Sequence, residues 1–185
     1  MNAVMKKKEK PKKTLKQEII SWILTLGAAV AIGLAIRTFL FVPVQVKGES
    51  MQNTLMNKEI VIATKFDYLK GDFNRRDIVI CHYPGRGSTL FIKRLIALPG
   101  DTVEMRAGQL WVNGELVDES AIDMNTPFTT SLGPITLGED QYFVMGDNRG
   151  NSNDSRSVGP LSRDMILGHV QRVVYPFSKF WDKAE

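Results

Sequence analysis

The sequence has a single cysteine and only two histidines among its 185 residues. Cys81 on its own cannot form a disulfide within the chain, so stability must come from core packing. Cys81 and His82 are adjacent, and no CxxC or HxxxH spacing occurs, so the ligand pattern of a structural zinc site is lacking. These shortages exclude a disulfide scaffold, and we expect neither a metal nor an organic cofactor.

The sequence also lacks a basic surface beyond its N-terminus, although the formal net charge is +4. Seven lysines and one opposing acid, Glu9, lie within the first 17 residues. The remaining residues carry 17 basic and 19 acidic side chains, which is close to neutral. Nucleic acid is therefore not an expected partner.

One long apolar run lies near the N-terminus. Residues 19–36 are eighteen consecutive positions without charge, and the run continues past Arg37 to Val42. That length can cross a bilayer, and the lysines before it keep the N-terminus in the cytoplasm under the positive-inside rule. We predict a cytoplasmic tail at residues 1–17, a transmembrane anchor at 18–42 and an extracytoplasmic domain at 43–185. The lipid bilayer is then a partner of this single-pass chain.

Two alternatives exist for the apolar run. A cleaved signal peptide is compatible with Ala29-Val30-Ala31, which has the small-x-small pattern of a cleavage site. That tripeptide lies in the middle of the run rather than at its end, which favours an uncleaved anchor. A buried core helix is disfavoured by the adjacent lysines and by the lack of a polar face.

Short β-branched segments alternate with Gly, Pro, Asn and Asp from Pro43 onward, which is typical of strands joined by turns. Asn113-Gly114 predicts a two-residue hairpin, because both turn positions favour positive φ. One short helix is predicted at residues 162–167, capped by Ser162 and stopped by Gly168. The predicted fold is mainly β, an antiparallel, barrel-like sheet domain behind one transmembrane helix. The predicted strands are residues 44–46, 59–64, 78–82, 90–98, 102–106, 109–112, 115–117, 141–145 and 170–175.

Two segments of this domain have residues suited to chemistry. The turn Gly48-Glu49-Ser50-Met51 follows the apolar run, and Lys93 lies in a strand pattern with apolar residues on both faces. Such a lysine is either buried or extends its ammonium to the surface. Burial lowers a lysine pKa from about 10.4, at which roughly one amine in two thousand is neutral at pH 7. A neutral amine can deprotonate a serine hydroxyl, although a serine after a glycine-containing turn, taken alone, is usually an ordinary turn residue.

A third segment, residues 145–156, is dense in short polar side chains and follows a predicted strand. A plain polar loop is one interpretation. A calcium loop is another, but Arg149 interrupts the alternation of acidic ligands that it needs.

These three segments together resemble the type I signal peptidases, most closely the membrane-anchored bacterial members. The resemblance covers nearly the whole chain, with order and spacing in agreement. The matching motifs are the Ser50 block, Arg76-Asp77-Ile78-Val79, the run from Lys93-Arg94 to Pro99-Gly100-Asp101, Gly146-Asp147-Asn148-Arg149 and Asp154-Ser155-Arg156.

The resemblance implies a Ser-Lys protease without a metal. In it Ser50 is the nucleophile, Lys93 the general base and Ser152 a hydroxyl that orients the lysine amine. It also implies structural ion pairs, which are Arg94 with Asp147 and Asp154 with Arg156.

Position 48 departs from the pattern of the family. Some members have a hydroxyl there that helps to stabilise the oxyanion, whereas this chain has Gly48. The oxyanion hole then depends on the backbone N–H of Ser50.

The expected substrate is the signal peptide of a translocated preprotein, cut after small residues at positions −3 and −1. Only eight positions separate Val42 from Ser50, so the nucleophile lies within roughly 28 Å of the membrane boundary. An extended substrate could add as a strand to an exposed sheet edge. The residues expected to line apolar subsites are Val44, Val46, Met51, Leu55 and Ile92, although core packing explains aliphatic residues equally well.

Three competing hypotheses remain at this point. A self-cleaving Ser-Lys repressor shares the dyad but has a cytoplasmic DNA-binding domain in place of the anchor. A membrane-tethered β binding module would make the serine and the lysine incidental. A Ser-His-Asp triad could use His82 or His169, although neither lies in a recognisable motif.

Overall fold

The computed structural model describes residues 14–39, 41–65, 73–119, 122 and 131–180. Most of the predicted N-terminal tail, residues 1–13, lies outside the described residues. The chain divides into two units, Met1–Phe39 and Leu40–Glu185, and each is described by itself.

The first unit contains one helix, α1, at Leu15–Phe39. Twenty-five residues extend about 38 Å along a helix axis, which exceeds the roughly 30 Å of bilayer hydrocarbon. The segment Leu15–Ala35 is long and apolar enough to cross a membrane. Its large side chains, such as Trp22, Leu24 and Leu26, are exposed.

The second unit is built from two antiparallel sheets, which confirms the mainly β prediction. The larger sheet has seven strands in the order β1-β2-β11-β3-β4-β9-β10. Its strands are β1 Phe41–Gln45, β2 Ile60–Thr64, β3 Ile78–Cys81, β4 Phe91–Ala97, β9 Gln141–Met145, β10 Leu161–Ser162 and β11 Ile166–Tyr175.

The smaller sheet has four strands in the order β7-β6-β5-β8. They are β5 Thr102–Arg106, β6 Gln109–Val112, β7 Glu115–Leu116 and β8 Leu132–Thr136. Asn113 and Gly114 join β6 to β7 with φ angles of 55° and 81°, as the hairpin prediction requires.

Apolar side chains from the sheets form three buried clusters. The first lies around Leu55, Val61 and Ile80, and the second around Tyr83, Leu95 and Val144. The third, around Val103 and Phe143, joins the smaller sheet to β4 and β9. Residues of β4 contribute to all three clusters, so this strand is covered on both faces.

The helix predicted at residues 162–167 is wrong. Only Arg163–Met165 form a single 3₁₀ turn, and β11 begins at Ile166. Pairing of Ile166 with Cys81 on β3 takes this segment into the sheet. Gly168 does not stop a helix; a Cβ there would stand 2.4 Å from the backbone oxygen of Thr64 on β2.

Two strands and two helical turns of the described residues were not predicted. The strands are β8 and β10, both at sheet edges. The first helical turn, α2, is Ser155–Val158 and is capped by the side chain of Asp154. The second is a 3₁₀ turn at Phe177–Lys179.

Candidate active site

Lys93 lies in the middle of β4, where every residue from Ile92 to Ala97 is buried. Strand alternation puts Lys93 on the same face as Phe91 and Leu95, against the second apolar cluster. The lysine is 2% exposed, so it does not extend to the surface.

The amine of Lys93 meets the hydroxyl of Ser50. Lys93 Nζ lies 2.7 Å from Ser50 Oγ and donates a second hydrogen bond of 3.0 Å to the backbone oxygen of Ile92. No acidic side chain is recorded within ion-pair distance of this amine in the described part of the chain.

Burial lowers the pKa of Lys93. The positive charge of Arg156 acts in the same direction. The negative charges of Asp154 and Asp147, and Cys81 if ionised, oppose the shift without reversing it. Burial also raises the pKa of Cys81 to about 12, so this thiol is protonated near neutral pH. The net effect is an amine more readily neutral than a free lysine.

The loop that follows β1 presents Ser50. Gly48 has a φ of 90°, a conformation that side chains rarely adopt, and its N–H donates to Asn57 Oδ1 at 3.3 Å. After Ser50 the chain reverses direction, and the Leu55 N–H donates a hydrogen bond of 2.8 Å to the backbone oxygen of Met51. The side chains of Met51 and Leu55 then enter the first apolar cluster and fix the turn.

A second loop, residues 146–156, packs directly against the Ser50 turn. Asn148 N–H donates to the backbone oxygen of Ser50 at 3.0 Å, and Thr54 Oγ1 donates to Asp147 Oδ2 at 2.6 Å. Gly146 makes this approach possible, because a Cβ there would lie 2.4 Å from the Ser50 oxygen.

The structure brings Arg94 and Asp147 together as a bidentate pair. Arg94 Nε and Nη2 donate to the two oxygens of Asp147 at 2.9 and 2.8 Å, and both residues are buried. A third bond, from Nη1 to the backbone oxygen of Arg76, lies at 2.8 Å. The pair fixes the start of the 146–156 loop to the strand that carries Lys93.

Asp154 and Arg156 also meet, within the 146–156 loop. Arg156 Nε and Nη2 each donate to Asp154 at 2.8 Å, and Gly146 N–H donates to the same carboxylate at 2.9 Å. Burial by itself raises the pKa of Asp154, but the hydrogen bonds and charge of Arg156, together with hydrogen bonds from Gly146 and Ser152, hold the pKa below its ordinary value. The loop is therefore closed on itself by an ionised carboxylate.

Ser152 lies beside the Ser50 turn but has no recorded hydrogen bond to Lys93. A Cβ added at Gly146 would lie 2.2 Å from Ser152 Oγ and 2.4 Å from the backbone oxygen of Ser50, so both atoms border the same position. Ser152 Oγ is buried and makes no hydrogen bond of normal geometry in the described part of the chain. It faces Asp154, whose pKa it helps to lower.

The five residues expected in substrate subsites all belong to the first apolar cluster or pack against it. Val46, Met51 and Leu55 are buried, so core packing accounts for them. Ile92 is also buried, at 8% exposed, whereas Val44 is half-buried and keeps part of its surface accessible. The subsites stay a prediction.

Sequence reasoning missed Thr54 and Gly146. Their contacts join residues that are far apart in the sequence, 93 positions in the case of Thr54 and Asp147, so no local sequence pattern predicts them. The sequence analysis contains Gly146 only as the first residue of the matching motif Gly146-Asp147-Asn148-Arg149 and gives it no role.

The described contacts give no support to the histidine and calcium alternatives. His82 Nδ1 lies 3.0 Å from the backbone oxygen of Thr89, and His169 Nε2 lies 3.7 Å from Asp77. Ser50 Oγ contacts the lysine instead. Asp147 and Asp154, which a calcium loop would use, are both bonded to arginines.

Comparison with known proteins gives a consistent result. The family model described as signal peptidase, peptidase S26, matches residues 19–175. Signal peptidase I P of Bacillus subtilis subsp. natto is 42% identical over 181 residues, covering 93% of this chain and 96% of the relative. Signal peptidase I S of Bacillus subtilis strain 168 is 39% identical over 174 residues, covering 89% and 93%.

A solved structure is also similar. The crystal structure of a signal peptidase I from Enterococcus faecalis V583 shares 32% identity and covers 53% of this chain and 96% of that chain, with a TM-score of 0.45. At that TM-score the superposition adds nothing to the fold described above.

Proposed function

The chain belongs to the signal peptidase family, peptidase S26, whose members are serine proteases, and we propose that it is a membrane-bound endopeptidase that uses a Ser50–Lys93 dyad. Membership of an enzyme family excludes the non-enzymatic binding module. Its substrates are preproteins that carry signal peptides. One observation carries the proposed dyad: a buried amine lies 2.7 Å from the hydroxyl of a turn serine.

In the acylation step Ser50 Oγ attacks the scissile carbonyl while Lys93 takes its proton. The amine must be neutral at that moment, and burial of Lys93 favours this state. The attack forms an ester between Ser50 and the signal peptide, and the protonated amine returns its proton to the departing amino group of the mature protein. In deacylation Lys93 takes a proton from water as the water oxygen attacks the ester carbonyl. The protonated amine then gives this proton to Ser50 Oγ as the bond between Oγ and the acyl carbon breaks, which releases the signal peptide and restores the dyad.

The developing oxyanion is bound by the backbone N–H of Ser50. This N–H has no recorded acceptor among the described residues, whereas the N–H of Gly48 is directed to Asn57. The turn is fixed before substrate binds by the contacts of Ser50 with Asn148 and of Thr54 with Asp147. Such preorganisation is the main source of oxyanion stabilisation in acyl transfer.

The two ion pairs keep the 146–156 loop over the dyad. Arg94 and Asp147 fix its start, and Asp154 and Arg156 close it. Ser152, between them, orients the Lys93 amine in the proposed enzyme. Its buried hydroxyl oxygen can accept a hydrogen bond from the amine, which leaves the amine lone pair directed to Ser50.

The membrane anchor and specificity belong to the same proposal. Residues 1–17 form a cytoplasmic tail, 18–42 the anchor and 43–185 the extracytoplasmic catalytic domain. Helix α1 has the length and apolarity for the anchor. In the proposed enzyme the small residues at −3 and −1 of the substrate bind against Val44, which is half-buried and packs against the first apolar cluster.

The test is cleavage of a preprotein by the full-length protein in detergent, followed by N-terminal sequencing of the product. Ser50→Ala, Lys93→Ala and Lys93→Arg are expected to lose activity by about a thousandfold or more, because removal of either member disables the dyad and a guanidinium cannot accept a proton. Lys47→Ala, at an exposed lysine near the turn, is the matched control and keeps full activity. Cleavage by purified Lys93→Ala would refute the dyad.

Specificity and nucleophile are tested on the same preparation. A bulky residue placed at −1 or −3 of the preprotein should block cleavage. An acylating probe such as a β-lactam should label the wild type and not Ser50→Ala.

A further inference from the structure

Tyr83 is a buried tyrosine next to the dyad that the proposed mechanism does not use. It follows β3 at the start of the connection to β4 and is 2% exposed. Burial raises the pKa of its phenol, so the hydroxyl keeps its proton and can act as a donor.

The ring of Tyr83 stacks on Phe91, the residue two positions before Lys93 on the same face of β4. The two ring centroids are 4.2 Å apart with an interplanar angle of 14°. Lys93 Nζ lies 5.9 Å from the centroid of the Phe91 ring. Tyr83 therefore supports the aromatic wall that desolvates the amine.

The hydroxyl of Tyr83 donates to the backbone oxygen of Asn153 at 3.1 Å. Asn153 lies between Ser152, the proposed lysine-orienting residue, and Asp154, which closes the loop. The neighbouring backbone oxygens accept bonds from the same segment of chain: Ser152 from Arg156 Nη2 at 3.5 Å, and Asp154 from the N–H groups of Ser157 and Val158 at 2.8 and 3.0 Å. Among the described residues, the phenol of Tyr83 is the recorded donor to these three oxygens that comes from outside residues 146–158.

We infer that Tyr83 is a positioning residue for the proposed dyad: it clamps the loop around Asn153 onto Phe91 and so keeps the Lys93 amine dry and aligned with Ser50. This inference rests on the proposed function. Tyr83 touches no reacting atom, and its effect is exerted through Lys93.

The inference predicts a direction for the pH dependence. Charged or titratable groups face Lys93 from β3, which carries Cys81, and from the 146–156 loop, which carries Asp147, Asp154 and Arg156. Loosening the loop has two opposite effects on the pKa of Lys93. Water reaches the amine, which raises this pKa, and Asp154 moves away from the amine, which lowers this pKa. Burial is the largest of these influences, so the pKa of Lys93 rises when the clamp is removed.

The experiment compares Tyr83→Phe with Tyr142→Phe in the full-length protein. Tyr142 is 7% exposed, belongs to the same apolar cluster and has no recorded hydroxyl bond among the described residues, so its variant is a matched loss of one phenol oxygen. Values of kcat and KM for a preprotein are measured from pH 6 to pH 10, with Lys93→Ala in the same series.

For Tyr83→Phe we expect the rising limb of kcat to move upward by about 0.5 to 1 pH unit, which lowers kcat at pH 7 by about threefold to tenfold, with KM unchanged. Activity should approach that of the wild type at pH 10, because the more hydrated amine of the variant is neutral at that pH. Tyr142→Phe should keep the profile of the wild type.

The inference would be overturned if the rising limb of the kcat profile lay at the same pH in Tyr83→Phe and in Tyr142→Phe. This holds whether or not kcat falls, because a purely structural role lowers activity without moving the limb. If Lys93→Ala is inactive in that case, the proposed dyad stands and only the role of Tyr83 is lost. An active Lys93→Ala would overturn both.

Discussion

The backbone of Gly146 lies directly against the carbonyl oxygen of Ser50. A Cβ at position 146 would stand 2.4 Å from that oxygen and 2.2 Å from Ser152 Oγ, closer than real Cβ atoms approach. Because one of the two neighbours is backbone, the clash cannot be relieved by a side-chain rotation.

Gly146→Ala should therefore push the 146–156 loop away from the Ser50 turn and reduce preprotein cleavage by at least about a hundredfold, since a displacement near 1 Å can cost that much. The measurement is kcat/KM together with the thermal unfolding midpoint. Gly133→Ala is the control, because position 133 is exposed and nothing lies within 4 Å of an added Cβ. Equal activity of the two variants would show that the close packing of the loop is not needed.

The hydroxyl of Thr54 ties the nucleophile turn to Asp147 at 2.6 Å. Thr54→Val keeps the shape of the side chain and removes the donor, so we expect the free energy of unfolding to fall by about 1–3 kcal/mol, the range for a hydrogen bond to a charged group. Activity should fall with it, because the turn that presents Ser50 loses a tether. Thr54→Ser retains the hydroxyl and should lose much less than Thr54→Val. A loss in the serine variant as large as that in the valine variant would contradict the role assigned to this hydrogen bond.

Strands with clear turns at both ends could be predicted from the sequence. Strands β5, β6 and β9 have the predicted bounds, and Asn113-Gly114 forms the predicted turn. The local sequence contains what fixes these elements: β-branched residues, a periodicity of two and turn residues. Strand β8 was missed because Gly133 and Pro134 interrupt it; an edge strand tolerates proline, since one side of its backbone has no partner.

The segment after Ser162 shows where local pattern fails. Its capping residue and its glycine favour a helix, yet Ile166 and His169 pair with β3, and this pairing determines the conformation. The same limit applies to the site. The alternation around Lys93 restricted its amine to burial or to the surface, but only the packing of Tyr83, Phe91 and Leu95 decides between them.

The Arg94–Asp147 pair is expected to stabilise the fold only as a pair. Removing one partner leaves a buried charge without its counterpart, so Arg94→Met and Asp147→Leu should each lower the free energy of unfolding by about 3–5 kcal/mol. The double variant should lose much less than the sum, because both charges are then gone. Urea unfolding of the four proteins measures the coupling.

Glu104 and Arg106 provide the control for this cycle. Their oxygen and nitrogen are 2.7 Å apart, much like those of Arg94 and Asp147, but the arginine side chain is 57% exposed. Solvent screens such a pair, so the corresponding cycle should show no measurable coupling. Similar couplings in the two cycles would contradict the buried character assigned to Arg94 and Asp147.

A buried amine should also make the stability of the protein depend on pH. Because burial lowers the pKa of Lys93 in the folded state, the unfolded chain binds more protons than the folded chain between that lowered value and the ordinary one, 10.5. Stability therefore rises with pH through this window and is lowest below it.

Lys93→Met replaces the amine with an apolar side chain of similar length and removes this proton uptake. We expect the variant to be inactive and to unfold at a higher temperature than the wild type at pH 7, with the difference shrinking as the pH approaches 10. Lys47→Met, at an exposed lysine, should match the wild type at every pH. Two results would contradict this expectation: a thermal unfolding midpoint of Lys93→Met no higher than that of the wild type at pH 7, or an equal increase at pH 7 and pH 10. Either result would mean that the folded protein does not lower the pKa of this amine. In that case the hydrogen bond between Lys93 and Ser50 would join an ammonium to a hydroxyl, and the lysine could not act as the base.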